Sequence, residues 1–584
     1  MAASPLHVRW LGTVPYGEAL DLQHALFGAT GDWLLLLEHP HVYTLGSNAT
    51  DANVLVDPVS VGAELVRADR GGDVTYHGPG QLVGYPVLSV PGRRGGGMAD
   101  TVAWVRSVEQ LVIDTLGDLG LHDVGRLEQY PGVWVAPESA APRKIAAIGV
   151  RLARGRSMHG FALNVAPDLS MFDHIVPCGI ADKGVTSLAA EGIDVSMGEV
   201  VDALIARAAE RWAADRPVDR AEVVRRAPRD GDEDLAPFSR GAGAGAPVRS
   251  AAEHLDTAIA SSPRLRGRLA EVGVGAGLRV DARKPEWLRA KVELGARPLE
   301  LKRTLRELSL VTVCEEAGCP NLSECWNDGT ATFMVNGERC TRACGFCLVD
   351  TRRPEPPDPD EPARVAEAVV RMGLGFAVIT TVARDDLDDH GAGQIVDTIR
   401  AIRGRDPEVR VEVLISDCRG DGVALDSIFA AAPDVLNHNI ETVARLQRAV
   451  RPSAGYARSL AVLARAGRSG LLTKSGLVLG MGETDDEVRS TLDDLAGVGV
   501  SIVTIGQYLR PTSNHLPVSR WVEPDAFEAF AEYGRSIGIA HVESSPLTRS
   551  SFHARQAADA GVPVALGPVR SATGTPASAA CRAW

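Results

Sequence analysis

Residues 331–347 read Ala-Thr-Phe-Met-Val-Asn-Gly-Glu-Arg-Cys-Thr-Arg-Ala-Cys-Gly-Phe-Cys. An apolar run, Ala331 to Val335, stops at Asn-Gly and hands three cysteines, Cys340, Cys344 and Cys347, to the loop beyond it. A short apolar run closed by a turn signal predicts a buried strand. Five more such runs follow, at Phe376 to Val382, Val409 to Ile415, Val435 to Ile440, Leu472 to Leu479 and Ile502 to Tyr508, separated by amphipathic stretches such as Tyr456 to Ala466. Six β/α repeats predict an α/β domain built as a partial (β/α)6 barrel, with its chemistry at the C-terminal ends of the strands. The loops carrying Cys340, Asp385, Asn437 and Glu483 all leave such strand ends.

Three thiolates in Cys-x3-Cys-x2-Cys spacing can hold three irons of a four-iron cluster and leave the fourth open. The amino and carboxylate groups of S-adenosylmethionine can chelate that iron, and an electron from the cluster then breaks the sulfonium bond to give a deoxyadenosyl radical. Zinc competes poorly, since it takes four ligands in paired knuckles and no fourth Cys or His lies close in sequence. A second set, Cys314-x4-Cys319-x5-Cys325, implies a second iron-sulfur cluster, with zinc a more credible rival there. Gly476-x3-Gly480-x2-Glu483 follows the fifth run, where Gly480 would admit a nucleoside to the backbone and Glu483 would accept a polar contact from it.

The chain has 584 residues, too many for one core, and its nine cysteines include six crowded between Cys314 and Cys347. In a long chain that crowding argues for metal and against disulfides. A net charge of -14 argues against nucleic acid as a partner, because phosphate binding needs a concentrated basic surface. No run of eighteen apolar residues and no secretory leader is evident, so a soluble, cytoplasmic protein without membrane contact is expected. Cys418 and Cys581 match no ligand spacing.

Composition divides the chain into residues 1–226, a linker at 227–276 rich in Gly, Ala and acidic residues, and residues 277–584. If fully flexible, the linker would span about 40 Å and tether the halves without fixing their orientation. The first part mixes strand-like runs (Trp33 to Leu37, Leu82 to Val90, Val133 to Ala136, Ile145 to Leu152, Phe161 to Val165) with a helical pattern at Val102 to Leu119, an α+β reading.

The C-terminal motifs carry a resemblance. Thr312-Val-Cys-Glu-Glu-Ala-Gly-Cys-Pro-Asn-Leu-Ser-Glu-Cys-Trp, Gly329-Thr-Ala-Thr-Phe-Met and Cys340-Thr-Arg-Ala-Cys-Gly-Phe-Cys are similar to the lipoyl synthase family. So are Arg283-Lys-Pro-Glu-Trp-Leu, Arg384-Asp-Asp-Leu, Asn437-His-Asn-Ile-Glu-Thr and Arg549-Ser-Ser-Phe-His-Ala. The resemblance implies a radical S-adenosylmethionine barrel with two 4Fe-4S clusters, fed by an electron donor. One cluster binds S-adenosylmethionine; the other, on Cys314, Cys319, Cys325 and a serine, is consumed as sulfur source. Ser551 is the serine expected, with Ser550 as the alternative. An oxygen ligand is harder than thiolate and would leave its iron first. Two departures from the family pattern are Phe552 in place of Tyr and Asp388-Asp389-His390-Gly391 in place of a Pro-Asp-Gly-Gly-like turn. Carbons C6 and C8 of an octanoyl chain carry no acidic proton, so radical hydrogen abstraction suits them where acid-base catalysis does not.

The N-terminal half resembles the octanoyltransferase family related to lipoate and biotin ligases, and hence their α+β fold. The matching motifs are Arg70-Gly71-Gly72-Asp73-Val74-Thr75-Tyr76-His77, Lys144-Ile-Ala-Ala147-Ile148-Gly149, His159-Gly160-Phe161-Ala162-Leu-Asn and Pro177-Cys-Gly-Ile. The resemblance implies that the first motif, Ala147 to Gly149 and Gly160 to Ala162 bind the acyl chain. It also implies that Cys178 takes octanoyl from octanoyl-acyl carrier protein and passes it to a lysine of a lipoyl domain. The acceptors implied are lipoyl domains of 2-oxoacid dehydrogenase complexes and the glycine cleavage H protein. Lys144 is the implied partner of Cys178, since a nearby ammonium favours thiolate and can shuttle the proton. Two blander readings stand beside these, Cys178 as a buried structural thiol and His77 as a core histidine. Arg143, Lys144, Arg151, Arg154 and Arg156 form a basic stretch that either docks an acidic carrier or is a solvated strand edge.

Overall fold

The computed structural model describes residues 4–90, 99–180, 182–224, 272–274, 277–278, 283–289, 303–310, 312, 321–327, 330–512 and 515–561. Cys314, Cys319, Cys581 and nearly all of the expected linker lie outside the described residues.

The N-terminal unit runs β1 (Leu6–Thr13), α1 (Tyr16–Gly28), β2 (Asp32–Glu38), β3 (Val42–Leu45), β4 (Glu64–Arg67), β5 (Val74–His77), β6 (Gln81–Val87), α2 (Thr101–Asp118), β7 (Val124–Leu127), β8 (Tyr130–Val135), β9 (Arg143–Ala153), β10 (Arg156–Asn164), β11 (Gly184–Val185), α3 (Met197–Ala208) and β12 (Val218–Glu222). Its large mixed sheet has the order β12-β1-β2-β6-β10-β9-β8-β7, with β11 on β9, while β4-β3-β5 forms a small separate sheet. Helices α2 and α3 cover one face through Trp104, Leu111, Val112, Val201 and Leu204, which join Leu34, Leu36 and Leu163 in a buried cluster. The pattern-derived strands and the helix at Val102 to Leu119 are all present within a few residues of their expected ends.

The C-terminal unit runs α4 (Leu322–Asn327), β13 (Thr330–Val335), α5 (Glu361–Arg371), β14 (Phe376–Thr381), α6 (Ala392–Arg405), β15 (Arg410–Leu414), α7 (Gly422–Ala430), β16 (Val435–Asn437), α8 (Gln447–Val450), α9 (Tyr456–Arg468), β17 (Thr473–Leu479), α10 (Asp485–Gly497), β18 (Ile502–Gln507), α11 (Pro524–Ser536), β19 (His541–Ser544) and α12 (Ala554–Ala560). Strands β13 to β19 form one sheet in sequential order, and every adjacent pair is parallel. Six strands match the six expected; β19 is a seventh. It carries only one buried apolar residue, Val542, and so lacks the run that marks the others.

Two features differ from a pair of domains on a loose tether. Val272 and Val274, inside the expected linker, are buried in the apolar cluster of the C-terminal unit, and Leu278 N–H donates to the Val518 carbonyl at 2.6 Å. The ordered C-terminal unit thus begins before residue 277. The two units also pack directly, α1 against α9, with shared apolar core.

Inside the sheet of the C-terminal unit, Lys474 Nζ lies 3.0 Å from both carboxylate oxygens of Glu412, and Asn437 Nδ2 donates to Glu412 Oε1 at 2.8 Å. Both charges are inaccessible to water, so removing either strands the other. Glu412→Ala should destabilise the unit by about 3–5 kcal/mol, and Glu412→Leu with Lys474→Met should recover most of that loss. Chemical denaturation followed by tryptophan fluorescence checks both. Additive losses in the double variant would contradict the pairing.

Candidate active sites

In the N-terminal unit, register brings the expected pocket together. Gly160, Phe161 and Ala162 on β10 pair directly with Gly149, Ile148 and Ala147 on β9. Gly160 is demanded by packing, because a Cβ there would stand 2.1 Å from the Gly84 carbonyl oxygen. The Phe161 ring fills the space left by Gly84, and it lies in the core with 2 % exposure. Residues 147–149 are half-buried and offer the more open surface.

Arg70 is buried, and its guanidinium donates to the Thr44 carbonyl at 2.6 Å, to Thr44 Oγ1 and to the Gly71 carbonyl. A Cβ on Gly46 would stand 2.6 Å from its Nη1. Burial lowers the Arg70 pKa, and nearby Tyr16 and Cys178 oppose that shift. Cys178 therefore lies within electrostatic reach of a buried cation. Cys178 is half-buried at φ 57°, ψ 19°, a left-handed conformation that turns the chain between Pro177 and Gly179. Strain of this kind in a non-glycine residue is typical of functional turns. Asp73 braces the turn: its Oδ2 accepts from Asn53 Nδ2 at 2.7 Å and would stand 2.9 Å from a Cβ on Gly179. A few residues on, β11 pairs Val185 with Lys144, which brings the Cys178 segment back to Lys144. The Lys144 ammonium is buried and sits 4.9 Å from the centre of the Trp134 ring.

Val74 to His77 form β5, and Tyr76 and His77 face the core. His77 Nδ1 lies 2.8 Å from Gln81 Oε1 and Nε2 lies 3.4 Å from Thr44 Oγ1. Burial first, then the neighbouring His39, push its pKa well down, so it is a neutral, satisfied core histidine. The basic stretch is also committed internally. Arg143 forks onto Glu191 at 2.9 Å, Arg151 pairs with Asp69, Arg154 lies over the Phe27 ring, and Arg156 donates to the Gly31 carbonyl at 2.7 Å. Arg143 and Arg151 thus have carboxylate partners within the unit, while Arg154 stays exposed.

In the C-terminal unit, Cys340, Cys344 and Cys347 sit in the loop after β13. Cys340 Sγ accepts from the backbone N–H groups of Arg342 at 3.4 Å and Ala383 at 3.3 Å. Burial pushes the Cys340 thiol up to about 11, and it raises Cys344 and Cys347 as well. Three half-buried thiols within electrostatic reach of one another would be costly as free thiolates, and a cationic cluster core relieves that cost. Among the described residues, only His7, Asp219 and Asp493 bring ligand atoms within 4.8 Å of one another. Buried acceptors without partners are Asn437 Oδ1 at the end of β16, Asn439 Oδ1 just beyond it and Asp417 Oδ2 on the loop after β15. Three thiols close enough to raise one another's pKa, with unsatisfied acceptors on neighbouring strand ends, fit an iron-sulfur cluster with a polar ligand beside it.

The loop is held from below by Arg342, which forks onto Asp385 at 2.7 and 2.8 Å and meets Asp417 at 2.6 Å. Arg342 stands between Cys340 and Cys344, where the cysteine spacing alone does not mark it as functional. Glu483 has a different use from the one expected. Its carboxylate accepts from Gly480 N–H at 2.5 Å and Met481 N–H at 3.0 Å. A Cβ on Gly480, at φ +102°, would meet Gln507 Nε2 at 2.2 Å. Both residues shape the turn after β17. Gly476 opens space, since a Cβ there would lie 2.7 Å from Asn439 Oδ1 and 2.8 Å from Thr504 Oγ1.

Cys325, on α4, is buried and is the described member of the second cysteine set. The segment holding Ser550 and Ser551 comes to that helix from both sides. Asn321 Nδ2 donates to the Leu547 carbonyl at 2.7 Å, and His553 Nε2 lies 3.5 Å from Glu324 Oε1. Phe552 stacks on His553 with centroids 3.8 Å apart.

A parallel sheet with a three-thiol loop at its carboxyl edge defines a radical S-adenosylmethionine enzyme. In agreement, residues 334–495 match the radical SAM superfamily and 274–319 the N-terminal domain of lipoyl synthase. Residues 15–209 match the lipoyl protein ligase A/B catalytic domain. The lipoyl synthase of Rubrobacter xylanophilus is 54% identical over 275 residues, 47% of this chain and 86% of that protein. That of Mycobacterium ulcerans is 52% identical over 272 residues, 47% of this chain and 84% of that protein. The chain belongs to the lipoyl synthase family, with a lipoyl protein ligase A/B-type catalytic domain on the same polypeptide. Solved structures with similarity include a bipartite lipoate protein ligase of Thermoplasma acidophilum (22% identity, TM-score 0.32, 37% of this chain and 88% of that one). Another is Streptococcus suis SuiB bound to S-adenosylmethionine (11% identity, TM-score 0.32, 43% and 61%). The protein is thus a bifunctional enzyme of lipoate biosynthesis, an acyltransferase-type unit joined to a sulfur-inserting unit that uses S-adenosylmethionine and iron-sulfur chemistry. No described helix is long and apolar enough to cross a membrane.

Arg342→Met should lower the iron content of anaerobically reconstituted protein, because the loop loses its anchor and two carboxylates lose their cation. Breaking such a pair costs about 3–5 kcal/mol. Iron and sulfide quantification beside a denaturation curve checks this; full iron loading would contradict it.

Proposed function

We propose that this chain performs two consecutive steps on one carrier-bound acyl group. The N-terminal unit, residues 1–226, transfers octanoyl from octanoyl-acyl carrier protein to a lysine of a lipoyl domain. The C-terminal unit, residues 277–584 with the Val272–Val274 lead-in, inserts sulfur at C6 and C8. The observation that carries the reading is that the strained Cys178 turn of a transferase-type unit and the three-thiol loop of a lipoyl synthase unit share one chain.

Cys178 is the nucleophile in this reading, and octanoyl is held on it as a thioester between donor and acceptor. Arg70 favours the anionic sulfur by its buried charge, and Lys144 takes the proton and returns it to the leaving group. Residues 70–76, Ala147 to Gly149 and Gly160 to Ala162 wall the acyl chain, while His77 supports that wall from the core.

In the second unit, Cys340, Cys344 and Cys347 would hold one 4Fe-4S cluster, and Cys314, Cys319, Cys325 and Ser551 a second. When bound, the clusters and S-adenosylmethionine supply an electron, a hydrogen-abstracting radical and the sulfur atoms. Arg342 fixes the first cysteine loop, Glu483 and Gly480 set the turn beside it, and the Asn321 and His553 contacts hold the serine segment near Cys325. An external electron donor completes the cycle. The acceptors are lipoyl domains of 2-oxoacid dehydrogenase complexes and the glycine cleavage H protein, in the cytoplasm.

Two variants separate the steps. Cys178→Ser should reduce octanoyl transfer at least about 100-fold while sulfur insertion into a pre-octanoylated lipoyl domain persists. Replacing Cys314, Cys319 and Cys325 by Ala should abolish lipoyl product yet preserve reductive cleavage of S-adenosylmethionine. Mass spectrometry of the lipoyl domain and quantified 5′-deoxyadenosine read the two outcomes. Loss of cleavage in the folded triple variant would contradict the division of labour between the cysteine sets.

A further inference from the structure

The surface between the two units has the chemistry of a permanent interface. Leu22, Leu26 and Trp33 of the N-terminal unit are buried in one apolar cluster with Leu460, Leu492 and Leu495 of the C-terminal unit. The approach depends on a missing side chain. A Cβ on Gly497, at the end of α10, would stand 2.7 Å from Trp33 Cζ2 and 3.0 Å from Leu26 Cδ2.

At the centre lies Arg9 of β1, 2 % exposed. Its Nε donates to Asp494 Oδ1 of the opposite unit at 2.6 Å, and its Nη2 donates to Asp219 Oδ2 of its own unit at 2.6 Å. Each carboxylate is completed by the C-terminal unit: Tyr456 Oη donates to Asp494 Oδ2 at 2.8 Å, and Ser490 Oγ donates to Asp219 Oδ1. Flanking this core, Arg458 Nε meets Glu18 Oε1 at 2.6 Å, and Arg468 pairs with Asp21.

Separation would leave Asp494 without its cation and would expose Trp33 and its leucine neighbours together. Both ions regain water on separation, so the pair fixes the register of the contact while the apolar burial drives it; removing one partner with the surface closed would strand the other. An interface with an apolar centre and a fully paired buried charge resembles a domain core cut in two. We propose that this surface, centred on Arg9 and Asp494, holds the two catalytic units as one body without help from residues 225–271. Their active sites then keep a fixed relation to each other. The partner this surface fits is the other half of the same chain, and the inference does not depend on which acyl donor or acceptor is used.

The test uses the full chain with a specific protease site placed in the Gly241–Gly245 stretch. After cleavage, the fragments should sediment as one complex of the intact mass, 61.8 kDa, at micromolar concentration. Arg9→Ala should weaken that association by about 30-fold or more. Gly497→Gln, which leaves every charge in place, should do the same by blocking Trp33. Circular dichroism of the separated fragments distinguishes weakened association from unfolding. Fragments of the cleaved parent that migrate apart would overturn the proposal. So would folded variants that associate as tightly as the parent, and a complex of twice the mass would instead place the surface between two copies.

Discussion

Charge taken out of water must be taken out in pairs, and this chain obeys that constraint wherever its parts join. Lys474 and Glu412 occupy the interior of the parallel sheet. Arg342 with Asp385 and Asp417 underpins the cysteine loop. Arg9 with Asp494 and Asp219 closes the contact between the two catalytic units. In each case neither ion tolerates loss of the other, so the pairs specify position more than they add net stability. Arg70 is the exception in kind, since its described hydrogen bonds run to Thr44 and Gly71 and not to a carboxylate. A buried cation whose hydrogen bonds go to neutral oxygens retains capacity to attract an anion, and Cys178 lies within its electrostatic reach, as does Asp73.

The sequence was most legible where function demands adjacent residues. Cys340 to Cys347 lie within one loop, Arg70 to His77 are consecutive, and the two triplets on β9 and β10 pair through an ordinary antiparallel register. The strands of the parallel sheet announced themselves by largely apolar runs because both of their faces are buried, with Glu412 and Lys474 the charged exceptions. Strand β19 escaped because a short edge strand with a single buried apolar residue carries no such signature. The interface escaped for a different reason. Arg9 and Asp494 are 485 positions apart, and each looks like an ordinary surface charge until the other is brought to it. Glu483 shows why spacing is a weak signal, since a carboxylate near a glycine turn can bind a ligand or cap backbone N–H groups, and here it accepts from Gly480 and Met481.

The basic stretch teaches the same lesson at the level of electrostatics. Five cations with no acid among them allow either a docking patch or a solvated strand edge, yet Asp69 and Glu191 meet Arg151 and Arg143, Trp134 and Phe27 lie against Lys144 and Arg154, and a backbone carbonyl accepts from Arg156. Local charge along a strand is a poor guide to surface potential when neighbouring strands and loops supply the counter-charge. His77 is comparable. Its motif setting suggested a ligand contact, while Gln81, four residues on, already occupies its Nδ1.

The proposed two-step function does not need a tunnel, because the intermediate would remain covalently attached to a lipoyl domain that moves as a separate body. What joining two such sites can change is the search between them. A flexible tether makes that search depend on linker length, through an effective concentration that falls roughly as the −3/2 power of length. A docked interface replaces that distribution with one geometry. A fixed arrangement favours transfer only if the carrier can swing from the first mouth to the second without losing contact with the protein surface. Joining the units through Arg9 also makes the stability of each contribute to the other, since the apolar face of α1 is covered only in the joined state. Coupling of that kind selects against drift of either unit away from the shared surface, whatever the chemistry each performs.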